Sequence, residues 1–277
     1  MGKFDGILIC TDLDGTLYKK DKTVSRENRE AIEYFKREGG FFTFITGRLY
    51  YYAQEAYAAA SPNVPYGTIN GGGLYDGVED CYIYTLETPH KVLELVACID
   101  EKFPDVGIQI CGFERTYFAK ENDITLRFRR LTGVPPLSCD YREVDFPIAK
   151  IIFCIATEEQ VAEVEKTLRA HPLAEEFDFV RSERTLFEIL PKGVHKGFAI
   201  EKLAEYLGVR MEKTVAIGDY DNDIAMLTAA GCGVAVENAC PAAREAADYI
   251  TVSNEEHAIA RLIYGIENGE FGNIIGR

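Results

Sequence analysis

Four stretches of this sequence hold residue types that do chemistry when they meet. Asp12-Leu13-Asp14-Gly15-Thr16-Leu17 sets two carboxylates two positions apart directly after an apolar run. Gly218-Asp219-Tyr220-Asp221-Asn222-Asp223 gathers three more after another such run. Ile45-Thr46-Gly47-Arg48 offers a hydroxyl and a flexible backbone amide, and Lys196 opens a helical pattern. Each alone is weak, since Asp-x-Asp turns are common and a helix-start lysine is ordinarily solvated. Acids, hydroxyl, amides and a lysine at one place describe a site for Mg2+ and phosphate.

Whether they meet depends on the elements that carry them. Ile7 to Cys10 is a short apolar run that reads as a buried parallel strand ending at Thr11-Asp12. Ser25 caps a predicted helix running to about Glu38, stopped by Gly39-Gly40. A second strand, Phe41 to Ile45, ends at Thr46-Gly47; Leu49 to Ala60 reads as helix, and a third strand leads to Asn70-Gly71-Gly72-Gly73. Strand alternating with helix signals a parallel sheet with helices on its faces. The rhythm returns from Lys196: a helix to Leu207, a strand Val215–Gly218, a helix from about Asn222 to Ala230, strands Gly233–Val236 and Tyr249–Val252, and a last helix capped by Asn254. Parallel strands present their carboxyl ends along one edge, so the four stretches converge.

Between these flanks the pattern differs. Asp76-Gly77 reads as a hairpin turn, Pro89 to Phe103 as a helix, and 106–119 as alternating strand. A basic stretch, Leu126 to Arg130, precedes a Pro135-Pro136 loop. Lys150–Ala156 reads as strand, Thr157-x-x-Gln160 as a capping box, and Phe177–Val180 and Thr185–Leu190 as further strands. The expectation is an α/β fold: a Rossmann-like parallel sheet core, residues 1–84 and 187–277, with an inserted α+β cap domain, 85–186.

Composition narrows the function. The chain has 277 residues with 47% apolar and 27% charged, enough for a proper core without staples. Its formal charge of −15 repels nucleic-acid backbones and anionic lipid, yet a metal ion or lysine reverses the field locally and admits an anionic substrate. No apolar run reaches the ~20 residues of a membrane span, and Met1 to Cys10, with Asp5, lacks a signal-peptide pattern, so the expected location is the cytoplasm. Eight cysteines without C-x-x-C spacing read as reduced thiols, and the scattered histidines exclude a zinc cluster.

On these motifs, taken in order, the chain resembles the haloacid dehalogenase superfamily, specifically its Cof-like phosphatases. The tail fits as well, with Val234-Ala235-Val236-Glu237-Asn238-Ala239 and Ala246-Ala247-Asp248-Tyr249-Ile250-Thr251. The resemblance covers both flanks; in the insertion it covers only position and approximate size. It implies a Mg2+-dependent hydrolase of small phosphomonoesters, such as sugar phosphates, working through an aspartyl-phosphate. Asp12 is then the nucleophile and Asp14 the general acid and base. Asp12, the backbone carbonyl of Asp14, Asp219 and Asp223 would hold Mg2+. The Leu13 amide, Thr46, the Gly47 amide, Lys196 and Asn222 would clasp the phosphate. The expected partner is a small phosphorylated metabolite, with no nucleic acid and no membrane; nothing in the sequence sets the oligomeric state.

Two other readings use the same residues. A phosphomannomutase-like phosphotransferase carries its cap in the same place but differs in the last motif. A non-catalytic phospho-receiver or binding module needs neither a second acid at Asp14 nor a cap. Nearby residues read as structural: Asp221 as a solvated loop acid, His195 as a helix start without catalytic duty, Tyr50 to Tyr52 as packing, and Arg127, Arg129 and Arg130 as a solvated face. Arg48 is open between surface and phosphate neighbour.

Overall fold

The computed structural model describes residues 2–272. In chain order the elements begin β1 (Leu8–Thr11), α1 (Arg26–Arg37), β2 (Phe41–Phe44), α2 (Gln54–Ala60), β3 (Tyr66–Thr68), β4 (Gly73–Asp76) and β5 (Cys81–Thr85). The inserted part runs α3 (Val92–Lys102), β6 (Gly107–Gly112), β7 (Thr116–Lys120), α4 (Asp123–Thr132), β8 (Ile148–Cys154), α5 (Glu158–Arg169), β9 (Phe177–Glu183) and β10 (Leu186–Pro191). The chain then adds α6 (Lys196–Leu207), β11 (Thr214–Gly218), α7 (Ile224–Ala229), β12 (Cys232–Ala235), α8 (Pro241–Ala246), β13 (Tyr249–Ile250) and α9 (Ala258–Glu267).

The fold class is the one the alternation implied. A five-stranded parallel sheet has the order β13-β12-β11-β1-β2. β1, β2 and β11 are wholly apolar or threonine and almost entirely buried, as sheets covered on both faces require. β1 lies beside β11 in a register that pairs Thr11 with Ile217, so the loops after them leave side by side. A smaller sheet, β3-β4-β5, holds the expected Asp76-Gly77 turn.

The chain divides into two compact units, within the described residues 2–48, 53–84 and 195–272 on one side and 49–52 with 85–194 on the other. The second unit runs past the expected boundary at 186, because β10 pairs along its length with β9 and completes that unit's sheet. Residues 1 and 273–277 of the expected core lie outside the described residues. The second unit's antiparallel sheet, β7-β6-β8-β10-β9, turns Ile108, Ile110, Ile151, Phe153, Phe187 and Ile189 toward Val92, Leu95, Val96 and Ile99 of α3 and Val161, Val164 and Leu168 of α5. The alternate residues on the other face include a buried ion pair, Lys150 Nζ to Glu188 Oε2 at 2.8 Å.

Several local readings need correction. Leu49 to Ala60 is not one helix: a 3-10 turn at Tyr50–Tyr52 precedes α2. The basic stretch Leu126–Arg130 lies in α4, capped by Asn122, whose side chain accepts from Ile124 N and Thr125 N. The box at Thr157 closes only on one side: Thr157 Oγ1 accepts from Gln160 N, while the Gln160 amide goes to Asp105. The last helix begins at Ala258, not at Asn254, whose carboxamide is spent on Tyr18 O at 2.8 Å. All eight cysteines are free. No helix of the described residues is long and apolar enough to cross a membrane.

Two helices that carry the site rest on a glycine. At Gly197, the second residue of α6, a Cβ would run into the carbonyl of Ala225 on α7. Gly197→Ala must therefore separate the helices, and we expect it to cost about 1–3 kcal/mol as overpacking does. The check is the urea midpoint; a midpoint equal to wild type would show that the two helices part freely.

Candidate active site

Burial sets the frame. Lys196 enters at the first residue of α6, is 1% exposed, and its ammonium is bonded to two carboxylates: Asp12 Oδ1 at 2.5 Å and Asp223 Oδ1 at 2.5 Å. Removing three charges from water is costly unless they pair and hydrogen-bond. Asp223 meets that condition fully, since its other oxygen accepts from the amides of Asp219 at 2.9 Å and Tyr220 at 3.1 Å. This clamp folds the loop after β11 back on itself.

Asp219 takes a different partner. Its Oδ1 accepts from Thr16 Oγ1 at 2.7 Å, which ties the loop after β11 to the loop after β1. Gly15 between them has φ +86°, and a Cβ there would press into the Asp219 carboxylate. Only glycine satisfies both demands. Asn238, after β12, donates from Nδ2 to Gly15 O at 2.8 Å and accepts from Asn254 N at 2.9 Å, holding the same loop from the far side.

Carboxylate oxygens of Asp12, Asp219 and Asp223 lie within 4.8 Å of one another. Three hard oxygen donors with one lysine leave a local negative excess, which is the donor chemistry Mg2+ takes. The residues present fit that ion. Burial pushes the Asp12 carboxyl up to about 7, with Lys196 opposing and Asp223 and Asp219 reinforcing. Burial also pushes Asp219 up to about 6, against its bond from Thr16 and with help from Asp223. Burial would discharge Lys196, but Asp12 and Asp223 outweigh it and hold its ammonium above the ordinary lysine value.

Asp14 stands apart. It is exposed, and its two oxygens face Lys22 Nζ at 2.6 Å and Arg48 Nη2 at 2.7 Å. Partial burial favours its neutral form, but Arg48 and then Lys22 prevail and hold the carboxyl below its usual value. Arg48, left open by the sequence, is thus an acid's partner at the end of β2.

The other residues expected to bind phosphate lie on the loops after β1, β2 and β11. Thr46 is buried at the end of β2, with Oγ1 accepting from Arg48 N at 3.2 Å. Gly47 follows it, half-buried, and Leu13 is buried between the two acids of the first loop. Asn222 is half-buried in the 3-10 turn Asp221–Asp223 that leads into α7. Asp221 is exposed, and His195 caps α6 with Nδ1 accepting from Phe198 N at 3.0 Å. In the second unit the Tyr51 hydroxyl meets Thr116 Oγ1 at 2.9 Å, and Arg129 pairs with Glu121. Sequence reasoning passed over Thr16 as a partner of Asp219, Lys22 on Asp14, and Asn238; Thr16 stood inside the first motif and Asn238 inside the quoted tail.

This geometry and the match to known proteins agree. The chain belongs to the haloacid dehalogenase-like hydrolase family, which matches it over residues 9–263. Within that family it is a phosphoric monoester hydrolase. It is 29% identical to the 5-amino-6-(5-phospho-D-ribitylamino)uracil phosphatase YitU of Bacillus subtilis, over 92% of this chain and 96% of that one. It is 26% identical to phosphatase YwpJ of the same organism, over 92% and 98%. Among solved structures, a haloacid dehalogenase-like hydrolase from Bacteroides thetaiotaomicron superposes with a TM-score of 0.82 at 26% identity, covering 94% of this chain and 99% of that one. The sugar phosphatase BT4131, a member of subclass IIB, shares the fold with a TM-score of 0.81 at 23% identity, over 94% and 98%.

The raised acids make a prediction about the metal-free protein. Unfolded Asp219 titrates near 3.9, and the folded group near 6. Between those values the folded state binds more protons than the unfolded state, so stability falls as pH rises through the window. After treatment with EDTA, Tm should be higher at pH 5 than at pH 7.5, by about 2–6 °C for a chain of this size. Saturating Mg2+ should flatten that slope, because a cation replaces the proton. The control is Asp219→Asn in EDTA: a slope parallel to wild type would mean that Asp219 is not the titrating group.

Proposed function

We propose that this phosphatase hydrolyses small phosphomonoesters, of the sugar-phosphate type or related metabolites, through an aspartyl-phosphate on Asp12 with Mg2+. The observation that carries the reading is the Lys196 clamp, which bonds Asp12 Oδ1 and holds the carboxylate beside Asp219 and Asp223, with Oδ2 taking no hydrogen bond among the described residues. Asp12, Asp219 and the backbone carbonyl of Asp14 would hold the ion, with Asp223 supporting it directly or through water. Bound there, Mg2+ would offset the repulsion between an anionic nucleophile and an anionic substrate.

The chain's own residues then have defined work. Thr46, the Gly47 and Leu13 amides, Lys196 and Asn222 are donors for the phosphoryl oxygens, fixed before the reaction starts. The free oxygen of Asp12 attacks phosphorus, and the bond to the leaving oxygen breaks as that oxygen takes a proton from Asp14. Water then attacks the phosphorus of the aspartyl-phosphate and gives a proton to Asp14, while the bond from phosphorus to Asp12 breaks, freeing the Asp12 carboxylate and inorganic phosphate. The ionised, paired Asp14 suits this second half. For the first half it must arrive protonated, and an approaching phosphate dianion raises its pKa by like-charge repulsion while competing for Arg48 and Lys22. The second unit would act as the cap that contacts the leaving group. The names YitU and BT4131 carry, a ribitylamino-pyrimidine phosphate and a sugar phosphate, set polyhydroxylated monoesters first among substrates to try.

The test is phosphate release from a panel of phosphorylated metabolites, with and without EDTA. Turnover should require Mg2+, and Asp12→Asn should lower kcat by ~10^4 or more, as loss of a covalent nucleophile does. Retention of a tenth of wild-type activity in Asp12→Asn would sink the covalent route, and full activity in excess EDTA would sink the metal. Asp14→Asn should slow alkyl esters far more than aryl esters, whose leaving groups need no proton; equal losses on both would remove Asp14 from proton transfer.

A further inference from the structure

One buried side chain beside the phosphate candidates has no role in the scheme above. Asn70 lies just after β3, is 2% exposed, and neither its Nδ2 nor its Oδ1 has a hydrogen-bond partner among the described residues. Buried polar side-chain atoms are nearly always paired, so a carboxamide with both ends open is an exception that calls for a cause.

Its position supplies one. The Asn70 amide donates to Thr46 O at 2.9 Å, and the Ile69 amide donates to Arg48 O at 3.0 Å, so the turn is stitched onto the loop after β2. The carboxamide lies against Gly47: a Cβ at position 47 would sit 3.1 Å from Oδ1 and 3.2 Å from Nδ2. On the other side, a Cβ on Gly71 would run close to the carbonyl of His195, the residue that precedes Lys196. The turn that carries Asn70 thus lies against Gly47 through Asn70 and against the start of α6 through Gly71. The turn is held in an unusual backbone, with φ +56° at Ile69, +53° at Asn70 and +105° at Gly71. A β-branched residue at positive φ is a costly exception, and such strain persists only where surrounding structure enforces it. Asparagine tolerates that conformation, but so does glycine; tolerance explains the backbone and leaves the unpartnered carboxamide unexplained.

We propose that Asn70 is a further substrate-binding residue, whose Nδ2 donates a hydrogen bond to an oxygen of the phosphoryl group seated at Thr46 and Gly47. The inference rests on the phosphatase site proposed above and adds a donor to it. A carboxamide there is neutral, so it adds a hydrogen bond to the substrate without competing for the cation that the carboxylates would hold.

Two variants separate this from a purely conformational role. Asn70→Gly keeps the left-handed backbone and deletes the carboxamide. Asn70→Asp keeps the shape and the backbone preference but turns a donor into an acceptor of like charge. The readouts are kcat/KM on an aryl phosphate and the inhibition constant of inorganic phosphate, with circular dichroism and Tm recorded alongside. Asn70→Gly should weaken inhibition by inorganic phosphate about 10-fold and lower kcat/KM by about 10–100-fold, with Tm unchanged or raised. Asn70→Asp should lose more on both, since it meets the phosphate with a charge. Should Asn70→Gly not fold, the phosphate inhibition constant of Asn70→Asp decides alone. Wild-type phosphate inhibition in either folded variant would overturn the inference and leave a conformational residue. If wild type itself neither turns over phosphomonoesters nor binds inorganic phosphate, the phosphatase site fails first, and this donor with it.

Discussion

A single buried ammonium organises the site. Lys196 is enclosed and bonded to Asp12 from the loop after β1 and to Asp223 from the loop after β11. A buried charge with one partner missing is strongly unfavourable, so each of the three groups requires the other two. That mutual requirement acts across the sequence. Asp12 and Lys196 are 184 residues apart, and the insertion must return the chain so that α6 starts at hydrogen-bond distance from β1. The two loops are neighbours because β1 and β11 pair in parallel register, and Thr16 to Asp219 and Asn238 to Gly15 fix the remaining freedom. The carboxylates exceed the lysine in charge, and this imbalance is what suits the cluster to a divalent cation.

The same physics divides two acids that stand two residues apart. Asp12 points into the buried cluster, where desolvation raises its pKa despite the lysine. Asp14 points to the rim, where Arg48 and Lys22 keep it ionised. Environments that push neighbouring titratable groups in opposite directions are what the proposed division of one loop into nucleophile and proton carrier requires. Just after the two acids Gly15, at positive φ, brings the loop close against Asp219. The pairing of Asp14 also gives Arg48 a purpose that its sequence position left undecided.

The sequence made the parallel sheet legible because its strands are short apolar runs ending in chemistry-bearing residues, and three such ends, after β1, β2 and β11, cannot all be accidents of a solvated loop. It made α1 and α6 legible through Ser25 and Gly208 at their ends. It failed where tertiary partners outbid local ones. Gln160 could close a capping box but finds Asp105, and Asn254 could cap a helix but is drawn to Tyr18. It also failed in α4, where the basic residues obscured a helical face whose start is marked by Asn122. The polar face of the insertion's sheet was invisible for a different reason. Lys150 and Glu188 come from β8 and β10, and alternation along each strand does not reveal which polar residue will face another across a ladder. Asn70 belongs with these, since its isolation in a buried turn is a property of its surroundings and not of its motif.

Each unit buries its own apolar face. In the second unit α3 and α5 cover one side of the antiparallel sheet, and the residues on that side satisfy the fold by volume and apolarity. Those on the other side, Gln109, Lys150 and Glu188 among them, are not needed for that packing. Lys150 and Glu188 are buried there as a pair, so they are free to change together but not singly, since a lone buried charge is costly. The parallel sheet places no such freedom at its carboxyl edge, because Asp12, Lys196, Asp219 and Asp223 are locked by mutual charge compensation. A chain built this way can alter that sheet face in matched pairs while the acid and lysine cluster stays fixed.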